Sequence, residues 1–241
     1  MSLTAALVIA ALAVLAAIEG ALRVAGYRHD IAPMSLRFGY PNPRELVDVF
    51  QPDPFLFWRM RPGSVFDAEA PVPINAAGYR GPVAASPALA NLFRIAVLGD
   101  SVAFGASTSF PEMLGERVSD VLAEPVEALN FGVPGYTIVQ GLRQFDAEVA
   151  PLKPDVVIVA YGWNDHWLAR GGLTDEQRHP ATGAMAAVSR SLSKLRFAQA
   201  LHAAIDRRGA GNAAAPGPDA PRRVPLDEFR AHLEMFIEHV R

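Results

Sequence analysis

Two short runs in the middle of the chain are apolar almost without a break, FRIAVLG at 93–99 and VVIVA at 156–160. A third, VEALNFG at 126–132, is largely so. A strand with no polar face must be covered on both sides, and such strands belong to parallel sheets flanked by helices. The intervening segments meet that demand. FPEMLGERVSDVLAE at 110–124 has helical spacing, with Met113, Leu114, Val118, Val121 and Leu122 expected on one buried side. IVQGLRQFDAEVAPL at 138–152 reads as a second helix, stopped near Pro151. The alternation predicts an α/β fold with right-handed crossovers.

In such a fold ligands bind at the carboxyl ends of the strands. The first end supplies Gly99, Asp100 and Ser101, the second Asn130, Gly132 and Gly135, and the third Gly162, Asn164 and Asp165. Together they bring a hydroxyl, glycine amides and a side-chain amide to one sheet edge. Acyl transfer needs that set: a nucleophile, and N–H donors aimed at a tetrahedral oxyanion. Each residue also has a plainer use. Ser101 could cap a helix, Gly135 could serve an ordinary Pro-Gly turn, and Asn164 could cap a helix or close an Asx-turn.

Three blocks, GDS at 99–101, NFGVPGYT at 130–137 and GWND at 162–165, each follow a strand. In this order they resemble the SGNH (GDSL) hydrolase family. INAAGYRG at 74–81 and the Glu19, Leu22, Arg23 pattern after the apolar N-terminal run look like those of its bacterial membrane-anchored members. The resemblance implies a three-layer α/β/α, flavodoxin-like fold around a central parallel sheet. It implies Ser101 as nucleophile at a helix start, with Gly135 and Asn164 in the oxyanion hole, and Asp100 and Asp165 as loop-ordering residues. The implied activity is cleavage of a carboxylic ester, as an esterase or lipase or as a deacetylase of O-acetylated carbohydrate, with no metal or cofactor.

The family places its general base in a late Asp-x-x-His, and no such pattern occurs in these 241 residues. The domain is therefore expected to be C-terminally incomplete. The alternative function is a catalytically inactive domain, acting as a membrane-tethered binding module or as a non-functional fragment. Of the six histidines (29, 166, 179, 202, 232 and 239), His166 adjoins Asn164 and is expected to face solvent or substrate. His232 and His239 are expected on a solvated helix face, and no histidine pair has metal spacing.

Residues 1–26 form an N-terminal hydrophobic segment, of which 3–18 carry no charge. A spanning helix needs about 20 such residues. The segment reads as an anchor by run length, with a cleaved signal or a buried helix as the other readings. Arg23 and Arg28 favour a cytoplasmic flank by the positive-inside rule, whereas the hydrolase domain is expected outside the cytoplasm. Residues 27–92 form a preface rich in Pro and aromatics, where FLFWRM and VPIN suggest short strands and AAGYRG a turn. Residues 93–241 form the hydrolase domain, with a flexible Gly/Ala/Pro insertion at 209–223. Its last helix, at 225–241, is expected to bury Leu233, Phe236, Ile237 and Val240. A net charge of −3 gives no footprint for nucleic acid. No cysteine is present, which excludes disulfides, thiolate metal sites and a lipid-modified cysteine. No Gly-x-Gly-x-x-Gly follows the first strand, which disfavours a dinucleotide site.

Overall fold

The computed structural model describes residues 2–29, 49–53, 55–66, 70–84, 92–169, 172–178, 184, 188, 191–192, 194–209 and 217–240. In chain order its elements are α1 (Leu3–Val24), β1 (Phe50–Asp53), β2 (Phe57–Met60), β3 (Val65–Phe66), β4 (Val72–Pro73), β5 (Phe93–Gly99), α2 (Ser101–Phe104), α3 (Phe110–Leu122), β6 (Val126–Gly132), α4 (Ile138–Gln144), β7 (Val156–Ala160), α5 (Arg196–Gly209) and α6 (Leu226–Val240). The chain divides into two units. One comprises Met1–Ala32 and Ala181–Ala214, the other Pro33–Pro180 and Ala215–Arg241.

The smaller unit pairs α1 with α5. Ser2 caps α1, its Oγ accepting the Ala5 N–H at 3.2 Å, and no residue of the helix is buried. The Glu19 carboxylate accepts the Phe197 N–H at 3.0 Å, so it caps the start of α5.

In the larger unit the three predicted strands form one parallel sheet in the order β6-β5-β7. The first strand is central and its successors flank it, the flavodoxin-like arrangement. Register brings Gly99 level with Gly132 on one side and Ala160 on the other. Alternate residues of β5 face opposite layers. Ile95 and Val97 pack with Phe110, Leu114 and Val118 of α3, while Ala96 and Leu98 join the core of α4 and α6. Helices therefore cover both faces, giving the three-layer α/β/α fold.

Two helix faces differ from expectation. On α3, Met113, Val121 and Leu122 are exposed, and Phe110, Leu114 and Val118 meet the sheet. The capping box of Ser109 and Glu112 fixes where this helix starts, and Gly115 lies so close to Ala128 that a Cβ there would come within 2.7 Å. That contact sets the helix rotation. On α6, Phe236 is buried as expected, but Leu233, Ile237 and Val240 are exposed. His232, expected on a solvated face, is buried against Glu176 (3.2 Å), and His239 pairs with Asp146 (2.9 Å). Packing of the Phe236 ring on Phe145 accompanies the inward turn of His232, whereas His239 is exposed, as expected.

The preface folds onto the same core. β1 pairs with β2 and β3 with β4, both antiparallel, and Phe50, Leu56, Trp58, Met60, Ile74 and Tyr79 are buried with the residues of α4. Part of it, 30–48, lies outside the described residues, as do His179 and the 210–216 part of the Gly/Ala/Pro stretch. The end of that stretch has partners: Ala169 N–H donates to Pro221 O and Arg223 N–H to Trp167 O, each at 2.7 Å.

One preface residue reaches the middle of the fold. Arg80, 5% exposed, donates all five guanidinium protons: to Glu112 through Nε and Nη2, to Phe104 O and Ala106 O through Nη1, and to Ser107 O through Nη2. These bonds hold the loop between α2 and α3. Arg80→Ala would strand three carbonyls and one carboxylate, and we expect it to cost about 3 kcal/mol. Urea denaturation of the full chain in detergent measures this. A loss below about 1 kcal/mol would mean that the loop stands without the arginine.

Candidate active site

Ser101 is the first residue of α2 and is exposed. The capping task that a serine could perform here is done by its neighbour: Asp100 Oδ1 accepts the Val102 N–H at 2.8 Å. The Ser101 hydroxyl has no hydrogen-bond partner among the described residues. The helix that follows is a single turn of four residues, so it carries only a small dipole. What remains at its start is a local set of backbone N–H groups.

The second block supports this turn from below. Asn130 Nδ2 donates to Ala103 O at 3.0 Å, taking up a carbonyl at the end of α2, and its Oδ1 accepts the Gly132 N–H at 2.9 Å. At Gly132 a Cβ would lie 2.5 Å from Phe104 N, so only glycine permits this approach.

The same block then turns sharply. Tyr136 N–H donates to Val133 O at 3.1 Å, and Gly135 takes φ +86°. Proline followed by a positive-φ glycine is the pattern of a type II turn. The turn is clamped from two sides. Trp58 Nε1 donates to Pro134 O at 3.4 Å, and Arg223 Nη1 donates to Gly135 O at 2.9 Å. In a trans peptide C=O and N–H point in opposite directions, so the Gly135 N–H points away from Trp58. Gly135 is buried, and among the described residues its N–H has no partner. A buried backbone donor left free is uncommon and calls for an explanation.

The third block closes the group. Asn164, 4% exposed, donates through Nδ2 to Asp100 Oδ2 at 3.2 Å and to Tyr136 O at 3.0 Å. Two acceptor partners assign the amide orientation. Asn164 thus joins all three strand ends in one network, and both of its Nδ2 protons are engaged in this state. It neither caps a helix nor closes an Asx-turn with its side chain. Asp165 orders the loops: its carboxylate accepts the Ile138 N–H at the start of α4 and the Gly162 N–H, each at 2.9 Å. Burial raises its pKa to about 6, against the opposing pull of the two N–H bonds and Arg223. Burial also raises the pKa of Asp100.

The geometry therefore brings Ser101, Gly135 and Asn164 to the one sheet edge expected from sequence. Among the described residues no histidine hydrogen-bonds to any of the three. His166 Nδ1 lies 3.3 Å from Gly162 O and its ring meets Trp163 edge-on. No group of residues suited to a metal ion occurs among those described. Arg223 and its partner Asp175 (2.7 Å) were not foreseen, although Asp175 also accepts the Thr137 hydroxyl at the start of α4. Arg223 ends a Gly/Ala/Pro stretch far along the chain, and no local pattern marks it. Trp58 lies in the FLFWRM run, whose pattern marks only a short strand.

The family described as GDSL-like Lipase/Acylhydrolase matches residues 97–241. A lipase/acylhydrolase from Enterococcus faecalis is 18% identical over 62% of this chain and 96% of its own, with a TM-score of 0.30. AlinE4, an SGNH-hydrolase family esterase, is 21% identical over 62% of this chain and 93% of its own, with a TM-score of 0.28. A GDSL-like lipase from Bacteroides thetaiotaomicron is 16% identical over 61% of this chain and 86% of its own, with a TM-score of 0.24. No curated protein matches.

The raised pKa of Asp165 has a definite sign. The fold favours its protonated form, so its contribution to stability is full below about pH 4 and is lost as pH rises through about 6. An asparagine cannot titrate. Urea midpoints at pH 4, 5, 6 and 7 should show wild type losing about 2–3 kcal/mol relative to Asp165→Asn across that window. A difference independent of pH would mean that Asp165 is already ionised at pH 4.

Proposed function

Because the chain belongs to the GDSL-like lipase/acylhydrolase family, we propose that it is a serine ester hydrolase whose nucleophile is Ser101. Family membership places it among acylhydrolases; the choice of residues rests on the site. In the proposed reaction Ser101 Oγ attacks the acyl carbonyl carbon as its proton passes to water, the C–O π bond opens, and the charge on oxygen is taken up by N–H donors. When the carbonyl re-forms the ester C–O bond breaks, the alkoxide leaves with a proton from water, and a second water hydrolyses the acyl-serine. The single observation that carries this reading is the free, buried N–H of Gly135 at the same sheet edge as an exposed serine hydroxyl. The Ser101 N–H is a second donor. Asn164 becomes the third when one of its two present acceptors gives way to substrate.

The substrate class in this proposal is an ester of a short or apolar acyl group, on an O-acetylated carbohydrate or a lipid. Val102 and Trp163, next in sequence to Ser101 and Asn164, are largely exposed and supply apolar surface. We also read α1 as a membrane anchor, with the hydrolase domain outside the cytoplasm. Its 22 residues extend about 33 Å, enough to cross the hydrocarbon core.

A second reading rests on one observation: the Ser101 hydroxyl has no partner among the described residues, histidine included. A domain without a proton acceptor would hold an acyl group and leave it uncleaved. Fluorophosphonate labelling separates the two. The hydrolase reading expects labelling of the full chain that disappears in Ser101→Ala. It also expects Asn164→Ala to slow labelling by about 10²–10³. No labelling of the wild type, together with retained binding of an acylated ligand, carries the second reading.

A further inference from the structure

The smaller unit carries a feature that neither reading uses. Helix α5 has two opposite faces. Gln199 and Ala203, four residues apart, are buried, whereas Leu201 and Ile205, also four apart and on the other side, are 60% and 51% exposed. Val188 and Leu192 repeat the exposed four-residue spacing just before it. Apolar residues at this spacing normally seek cover.

The structure says where this face lies relative to α1. The uncharged run of α1 ends at Ile18, and Glu19 and Arg23 are its first charged residues, paired at 2.7 Å. Glu19 is also the residue that caps α5, through the Phe197 N–H at 3.0 Å. Six residues past Arg23, beyond the end of α1, the His29 N–H donates to Gln199 Oε1 at 3.3 Å. So α5 starts at the level where α1 passes from apolar to charged. For an anchor helix that level is the membrane–water boundary. The sequence adds Arg196 at the start of α5 and Arg207 and Arg208 at its end. Such a composition, apolar on one side with arginines at both ends, suits a helix lying in the head-group layer of an anionic bilayer.

We propose that α5 is an interfacial helix that lies in the lipid head-group region beside the exit of α1, with Leu201 and Ile205 turned into the lipid. The proposal rests on the reading of α1 as a membrane anchor. It gives the anchor a second point of contact, which a single spanning helix lacks, and so limits rotation of the smaller unit about the membrane normal.

The absence of cysteine makes the test clean. Single-cysteine variants of the full chain, Leu201→Cys, Ile9→Cys and Asp120→Cys, carry an environment-sensitive fluorophore. They are reconstituted into vesicles of phosphatidylcholine and phosphatidylglycerol. Lipids with a nitroxide near the head group or deep in the chain then act as quenchers. The expected result is a blue-shifted label at position 201 that loses most of its emission to the shallow nitroxide, a label at 9 quenched by the deep one, and no quenching at 120. If 201 behaves like 120 while 9 stays quenched, the anchor stands and the interfacial helix is overturned. If neither 9 nor 201 is quenched, the anchor reading falls and the interfacial helix with it. A blue shift at 201 that appears without lipid and grows with protein concentration would show a second copy covering the face, and would also overturn the proposal.

Discussion

Two places where no side chain fits govern the candidate site at the sheet edge of this protein. A Cβ on Gly132 would sit 2.5 Å from Phe104 N, and one on Gly99 would sit 2.6 Å from the Ala103 Cβ and 2.8 Å from Ala160 O. The turn of α2 therefore lies directly on the ends of β5 and β6, and β7 comes equally close. That contact lifts Ser101 to the rim of the sheet. Backbone approach of this kind tolerates no slack in a close-packed interior, so the polar residues around it have fixed positions to bond to.

Those bonds form a second layer of constraint. Asn130 and Arg80 take the carbonyls at the far end of α2, and Asp100 caps its near end while accepting the Asn164 amide. Trp58 and Arg223 hold the Pro134–Gly135 turn by its two carbonyls. The result is a hydroxyl and an N–H, both without a partner among the described residues, set among groups that are themselves bonded. Preorganised donors of this sort are what acyl transfer requires, because they need no rearrangement as charge develops. The Asn164 amide is the exception: both of its protons already have acceptors.

Much of this was legible in the sequence, for a local reason. FRIAVLG and VVIVA are apolar on both faces, a pattern that by itself demands a covered parallel strand, and each strand end carries its polar residues in immediate succession. The helix faces were less legible. The segments that form α3 and α6 have more apolar residues than one stripe can hold, so the pattern allowed several rotations. Contact of Gly115 with Ala128 and of Phe236 with Phe145 selected among them, leaving Met113, Val121, Leu233 and Ile237 outside and His232 inside. Arg223 and Asp175 were invisible because their partners lie dozens of residues away, and a lone arginine after a Gly/Ala/Pro stretch has no periodicity.

The sequence by itself determined the alternation of strand and helix, the three blocks at the strand ends and the apolar run at the N-terminus, since each is encoded by neighbouring residues. Only the tertiary structure decided that Asp100 and not Ser101 caps α2, that Asn164 bonds to both other blocks, and that Glu19 of α1 caps α5. These depend on bonds between segments far apart in the chain, and such bonds exist only once close packing has brought the segments together.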